Sequence, residues 1–215
     1  MQKNTPMQND EPLALRPFLV GVVFWLPLAF LIWYSWSGLL LLPGIKLAGA
    51  SLTWAFPKTF DGLSFAAGAW SNGVLIHDGA RVGVASVALN PLLYSYGLPL
   101  LVALVMASPL SWRRQFVQII LGAALCNLVL TWGLVFDSLK TVLFQLGQLP
   151  GTVAMPEISA ELVALGYQLG SLILPGIVPV AFWVLINRAL LTQGVAFAAP
   201  CNPGTEETLQ AHEQD

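Results

Sequence analysis

Charged side chains are scarce in this chain. Lys, Arg, Asp and Glu together make up 9% of its 215 residues, whereas 56% of the residues are hydrophobic. Ordinary soluble domains carry roughly 25% charged residues. Four long stretches contain none of these four residue types, namely 17–45, 82–112, 115–136 and 162–187. The shortage excludes an ordinary soluble domain and indicates an integral membrane protein.

Basic residues, cysteine and histidine are too few for several classes of function. The net charge is −2, so the chain has no basic field for nucleic acid, and we expect no nucleic-acid partner. Of the two cysteines, Cys126 lies within an apolar stretch and Cys201 in the C-terminal tail, so a disulfide between them is not expected. Zinc sites need three or four ligands, which His77 and Asp78 alone do not supply. We therefore predict neither a metal nor a cofactor.

The apolar stretches predict an all-α membrane protein with about four transmembrane helices. About 20 apolar residues, at roughly 1.5 Å per residue, cross a bilayer core of about 30 Å. Pro43-Gly44 is expected to end the first helix, and the third is expected to extend to about residue 148. The predicted spans are 17–42, 91–109, 115–136 and 162–187, between a polar cytoplasmic lead over 1–16 and a disordered acidic tail over 193–215.

The basic residues nearest the spans predict the orientation of the chain. Arg16, Arg113, Arg114 and Arg188 all lie beside span ends, and positive charge is retained on the cytoplasmic side. This pattern places both termini in the cytoplasm. It places the segment 43–90 on the outer side.

Part of that outer segment has an alternating, strand-like pattern. Strands near 63–70, 73–77 and 80–89 would form a small antiparallel meander. The turn dipeptides that separate or precede them are Asp61-Gly62, Asn72-Gly73 and Asp78-Gly79. A sheet this small buries little core of its own, so we expect it to rest on the helix ends or on a partner.

The junction between the last strand and the second span is the best candidate for a docking site. Asn90-Pro91 predicts a helix start, since Asn can cap an orphan amide and Pro loses no bond at the first helical position. Pro99 would leave the carbonyl of Ser95 without its usual N–H partner. The alternative is that tyrosines here only anchor the helix at the membrane surface. The candidate docking residues are Asn90, Tyr94, Tyr96, Gly97 and Pro99.

Side chains suited to catalysis or transport are few. Cys126 has no charged residue in its span, an environment that leaves a thiol inert. His77 lies in the predicted meander, away from Cys126. Ion paths usually need ionisable residues within the spans, and the predicted spans have none. Asn127 and Gln168 are polar residues within the predicted spans, and they are expected to form hydrogen bonds between helices.

Three stretches of the sequence resemble the exosortase H-associated membrane proteins. They are Asn90-Pro-Leu-Leu-Tyr-Ser-Tyr-Gly-Leu-Pro-Leu-Leu, Gly166-Tyr-Gln-Leu-Gly-Ser-Leu-Ile-Leu-Pro175, and Trp25-Leu-Pro27 with Trp33-Tyr34. The resemblance implies a multi-pass protein of the bacterial inner membrane, linked with an exosortase, a membrane enzyme thought to process carboxy-terminal sorting tails. Exosortases are associated with a Cys, Arg and His set, and Cys126 has no Arg or His near it in sequence. The chain is therefore not interpreted as the sortase.

These observations favour a non-enzymatic accessory protein that docks to an exosortase-type enzyme or its substrates. Its other expected partners are the membrane lipids. One alternative is a membrane enzyme that uses Cys126 or His77 on a lipid-linked or peptide substrate. The other alternative is a small transporter.

Overall fold

The computed structural model describes residues 15–66, 68–78, 81–146, 152–153, 158–189 and 191. The predicted acidic tail and all but the end of the predicted lead lie outside these residues. The described chain is mostly helical, with a small antiparallel sheet. The helices are α1 (Leu15–Leu40), α2 (Leu42–Ala55), α3 (Gly97–Ala107), α4 (Trp112–Phe144), α5 (Ala160–Gln168) and α6 (Leu174–Ile186), and the strands are β1 (Phe60–Ala66), β2 (Ala69–Asp78), β3 (Arg81–Leu89) and β4 (Thr152–Val153).

Within the described residues, three helical segments are long and apolar enough to cross a membrane: 16–40, 112–144 and 160–186. The segment predicted as a continuous second span is divided. A 3₁₀ helix over Pro91–Tyr94 is followed by α3, which has only 11 residues. The stretch 91–109 is therefore not a single α-helix, and its role as a membrane span stays a prediction. Helix α4 runs past residue 136, the predicted end of the third span, and ends at Phe144.

Helix α2 was not predicted. Pro43-Gly44 was expected to end the first helix, and α1 ends just before it, at Leu40. A second helix starts at once, with Pro43 in its first turn, where the missing N–H costs no bond. The chain then stays helical to Ala55. Part of the segment that was predicted to lie on the outer side therefore packs as a helix against α4.

The sheet has the order β1-β2-β3, and β4 also pairs with β2. A small antiparallel meander was predicted, but its turns were partly misplaced. The β1–β2 turn contains Gly68, with φ of +80°, whereas Gly62 lies at an irregularity within β1, with φ of +121°. Asn72 lies inside β2, paired with Leu63 and Val87, so a turn at Asn72-Gly73 is wrong. In the Asp78-Gly79 turn, the glycine lies outside the described residues.

The helix that was predicted as the fourth span changes its hydrogen-bond pattern in the middle. A π-helical turn, Leu169–Ile173, joins α5 to α6. Pro175 follows directly and lacks the N–H that an α-helix would donate to the carbonyl of Ser171. The N–H of Leu174 instead reaches back five residues to the carbonyl of Leu169. Pro175 and the π-turn before it therefore interrupt the regular α-helical hydrogen bonds together.

The buried core runs along α4 in three clusters. At one end, Leu101 and Val105 of α3 pack between α1, α4 and α6. In the middle, Tyr94 packs with Leu130 and Leu134. The third cluster lies under the sheet, where Phe60, Val74 and Leu139 are among its buried members. The sheet therefore covers one end of the helix bundle and rests on it.

Candidate functional site

The candidate site lies where the sheet meets the helix bundle, and Asn90 marks its centre. Strand β3 ends at Leu89, and Asn90 has an extended backbone with φ of −115° and ψ of 91°. Its side-chain oxygen accepts a hydrogen bond from the N–H of Leu92 at 3.2 Å. The predicted helix start at Asn90 is confirmed, although the helix it begins is 3₁₀. Asn90 itself is exposed.

Tyr94 is buried, with 1% of its surface exposed. Its ring lies against Gly133 so closely that a Cβ there would overlap it. The Tyr94 hydroxyl approaches Asp137 and Tyr167, but no hydrogen bond of ordinary geometry reaches it. Tyr94, a candidate docking residue, is therefore enclosed by α4 and the sheet and does not present its hydroxyl at the protein surface.

Tyr96 joins two helices. Its hydroxyl donates to the carbonyl of Leu172 at 3.3 Å. That carbonyl belongs to the π-turn before Pro175, where the regular helical ladder is disturbed. The described contact of Tyr96 therefore stabilises the packing of the helices.

Gly97 and Pro99 are both buried at the start of α3. A Cβ at Gly97 would overlap the carbonyl oxygen of Pro175, so only glycine allows α3 and α6 to approach this closely. The carbonyl of Ser95, expected to be free, accepts the N–H of Leu98 at 3.0 Å. Of the five candidate docking residues, Asn90 is exposed and Tyr96 is half-buried, while the other three lie in the interior.

A cleft of about 420 Å³ opens beside Asn90. One wall is the β1–β2 hairpin with Phe65 and Trp70, whose rings lie 5.1 Å apart. The opposite wall is the break between α1 and α2, with Gly38 and Leu41. Sheet, helix break and strand end therefore enclose one cleft at the junction.

A charged pair near the junction was missed by the sequence analysis. Lys140 and Asp137 form a salt bridge at 3.0 Å on α4, and the ammonium of Lys140 lies 3.7 Å from the centre of the Tyr167 ring. The two charged residues are three positions apart on a helix that was expected to extend this far. That spacing could have predicted the salt bridge from the sequence. The pair links α4 to α5 just beyond Gly133.

Asn127 bridges the break between α1 and α2. Its Oδ1 accepts the N–H of Gly44 at 2.9 Å. Its Nδ2 donates to the carbonyl of Leu40 at 3.4 Å and to that of Ala123 at 3.0 Å. Gln168, the other residue expected to bond between helices, is instead exposed on α5.

The two residues with catalytic potential lie in different elements, Cys126 in α4 and His77 in β2. Cys126 is a free, buried cysteine in the cluster around Leu101. The backbone of His77 lies in β2, opposite Val82 and Thr152, and its side chain lies outside the described part of the structure. Among the residues that are described, no three His, Cys, Asp or Glu side chains come together as metal ligands.

Fold and site together define a helical membrane protein with a small sheet over one end of its bundle. The family comparison is more specific. The chain belongs to the exosortase H-associated membrane proteins, whose family model matches residues 12–190. Comparison with curated proteins and with solved structures finds no match. The resemblance inferred from the three sequence stretches is confirmed.

Proposed function

We propose that this protein is a non-enzymatic accessory of an exosortase-type sorting system in the bacterial inner membrane. It would bind the sortase or its substrates through the cleft beside Asn90. The family name links the chain to an exosortase. The single structural observation that carries the docking proposal is the cleft of about 420 Å³ between the hairpin and the helix break.

The proposal includes a fourth membrane crossing, made by the 3₁₀ helix and α3 together. Contacts with α4 mark the two ends of this segment. At its C-terminal end, Gln115 Nε2 donates to the carbonyl of Ser108 at 3.2 Å. At its N-terminal end, Gly133 lies against Tyr94. These two α4 positions are about 27 Å apart along the helix axis, close to a bilayer core of about 30 Å.

Four crossings would return both termini to one side. Arg113 and Arg114 lie at the start of α4 and Arg188 just after α6, at the end of the bundle opposite the sheet. Since positive charge stays inside, that end would be cytoplasmic. The sheet and the cleft would then be periplasmic, where an exosortase-linked substrate could reach them.

The surface around the cleft favours a protein partner. The Phe65 side chain at its rim is 60% exposed. Trp54, near the end of α2, is 86% exposed. Exposed aromatic side chains at the sheet end of a membrane protein are typical of contact surfaces, since they bury large area at low entropy cost.

Docking can be tested with a substitution that fills the cleft without disturbing the fold. Gly38 lines the cleft, and nothing lies within 4 Å of a Cβ added to it. Gly38→Trp should therefore block the cleft and lower recovery of the co-expressed exosortase in a pull-down from detergent. Gly83→Trp is the matched control, because Gly83 is equally open but does not line the cleft. Equal recovery with both variants would refute docking at this cleft.

A test of orientation uses single cysteines in a chain whose native Cys126 and Cys201 are replaced by Ser. A cysteine at Ser64, exposed on β1, should react with a membrane-impermeant maleimide added to intact spheroplasts. A cysteine at Ser111 should react only after lysis. The reverse pattern would show that the topology is inverted. Labelling of both cysteines from outside would contradict the fourth crossing.

A further inference from the structure

A second cavity lies at the opposite end of the bundle from the sheet. It has a volume of about 460 Å³ and lies between the start of α4 and the end of α6. Arg113 and Arg114 are on one side, and Asn187 is on the other. Neither the family name nor the docking proposal accounts for this cavity.

The floor of this cavity is a pair of buried amides. Gln118 and Asn187 are 7% and 3% exposed. The Gln118 Nε2 donates to Asn187 Oδ1 at 2.9 Å, and the Asn187 Nδ2 donates back to Gln118 Oε1 at 3.2 Å. Asn187 also donates to the carbonyl of Trp183 at 2.9 Å. These reciprocal bonds fix the two side chains and give the cavity a rigid polar base.

The walls of the cavity are apolar and open to the surroundings. Val117 and Leu121 of α4 are 54% and 52% exposed, and Ile186 of α6 is 44% exposed. All three belong to candidate membrane spans. When apolar side chains of a membrane span line a cavity and remain exposed, they are in contact with lipid tails. Trp112, exposed beside Phe116 at the start of α4, is typical of the headgroup depth.

The charged residues that the structure describes in this lining are both basic. Arg113 and Arg114 supply two guanidinium groups, and no Asp or Glu is among the described lining residues. Arginine binds phosphate oxygens through paired hydrogen bonds. A cationic rim above apolar walls, at headgroup depth, matches an ion with an acyl chain attached better than it matches a free ion.

We infer that this cavity is a specific site for an anionic phospholipid. The phosphate lies between Arg113 and Arg114, and one acyl chain runs along Val117, Leu121 and Ile186. In the amide pair, one N–H of Gln118 is left over for a headgroup oxygen. Phosphatidylglycerol fits this description, whereas the ammonium group of phosphatidylcholine would face the two arginines.

The experiment measures lipid binding to the full-length protein in detergent. Phosphatidylglycerol and phosphatidylcholine are added in separate titrations, and bound lipid is counted by native mass spectrometry. We expect tighter binding of phosphatidylglycerol. The affinity should fall about fivefold in Arg113→Gln and about thirtyfold in the double variant with Arg114→Gln.

Two further variants separate a lipid site from general charge attraction and from free phosphate. Arg16→Gln removes one exposed charge at the same end of the bundle without touching the cavity, and it should bind lipid like the unmodified protein. Val117→Trp fills the apolar wall. It should abolish lipid binding while leaving any binding of inorganic phosphate unchanged.

Three results would overturn the site. The first is equal loss of lipid in Arg16→Gln and Arg113→Gln, which would mean a diffuse charge effect. The second is equal binding of both lipids. The third is full lipid binding by Val117→Trp, which would leave only an anion site. Since all readouts are lipid or phosphate binding, none depends on capture of an exosortase.

Discussion

The hydrogen bonds of Asn127 allow one prediction to be worked out in detail. Pro43 interrupts the helical ladder between α1 and α2. The N–H of Gly44 would bond to the carbonyl of Leu40 in a regular helix. Instead, the Asn127 amide stands between them, accepting from Gly44 at 2.9 Å and donating to Leu40 at 3.4 Å. A side chain from α4 therefore replaces one missing backbone bond.

Asn127→Leu keeps the approximate volume and removes both bonds. Side-chain hydrogen bonds between membrane helices average about 0.6 kcal/mol and reach about 1.7 kcal/mol. An unsatisfied buried group in water-soluble proteins costs about 1–3 kcal/mol. The Gly44 N–H is buried and its bond is short, while the bond to Leu40 is long. We therefore expect a loss of about 2 kcal/mol in the free energy of unfolding.

The assay is reversible unfolding in mixed micelles with rising SDS, followed by tryptophan fluorescence. Pro43→Ala provides the decisive background, since without the proline ring α1 and α2 can close into one helix, in which the Gly44 N–H bonds the Leu40 carbonyl. In that background, Asn127→Leu should cost less than half as much. Leu128→Ala is the control, because Leu128 is exposed on α4 and should change stability little. An equal cost of Asn127→Leu in both backgrounds would refute the bridging role.

Three further predictions concern the junction and the bundle core. Gly97→Ala should destabilise the protein by about 1–3 kcal/mol, because its Cβ would overlap the Pro175 carbonyl; Gly38→Ala, with open space around it, should leave the thermal unfolding midpoint in place. Tyr96→Phe removes one hydrogen bond between helices and should cost about 1 kcal/mol without changing exosortase recovery in the pull-down; a marked fall in recovery at normal stability would instead make the hydroxyl a docking group. Cys126→Ser should leave sorting of a reporter substrate intact in cells, because the thiol is enclosed in the apolar core; lost sorting with normal membrane levels would favour an enzyme.

Several features were set by the sequence alone, because they depend on neighbours along the chain. Long uncharged stretches are sufficient to make an apolar helix, so the membrane class and α4 were predictable. The cap at Asn90 was predictable as well, since its partner is only two residues away. The alternating pattern before it predicted a small antiparallel sheet, because side chains on a strand alternate between two faces.

The remaining features were decided by contacts between distant parts of the chain. Pro43 was expected to end a helix, and α1 does end at Leu40, but α2 follows at once. Asn127, 83 residues away from Gly44, supplies the amide that bridges the two helices. Asn72 was expected to lie in a turn, but two neighbouring strands pair with its backbone and hold it in the sheet.

The same reasoning explains the buried junction. Tyr94 lies inside because Gly133 leaves room for its ring, and no pattern within either helix specifies that the two residues meet. The cleft beside Asn90 and the cavity at the opposite end of the bundle likewise form between elements far apart in sequence. Local patterns select a helix or a strand, but the surfaces available to a partner or a lipid depend on which side chains the packing leaves exposed.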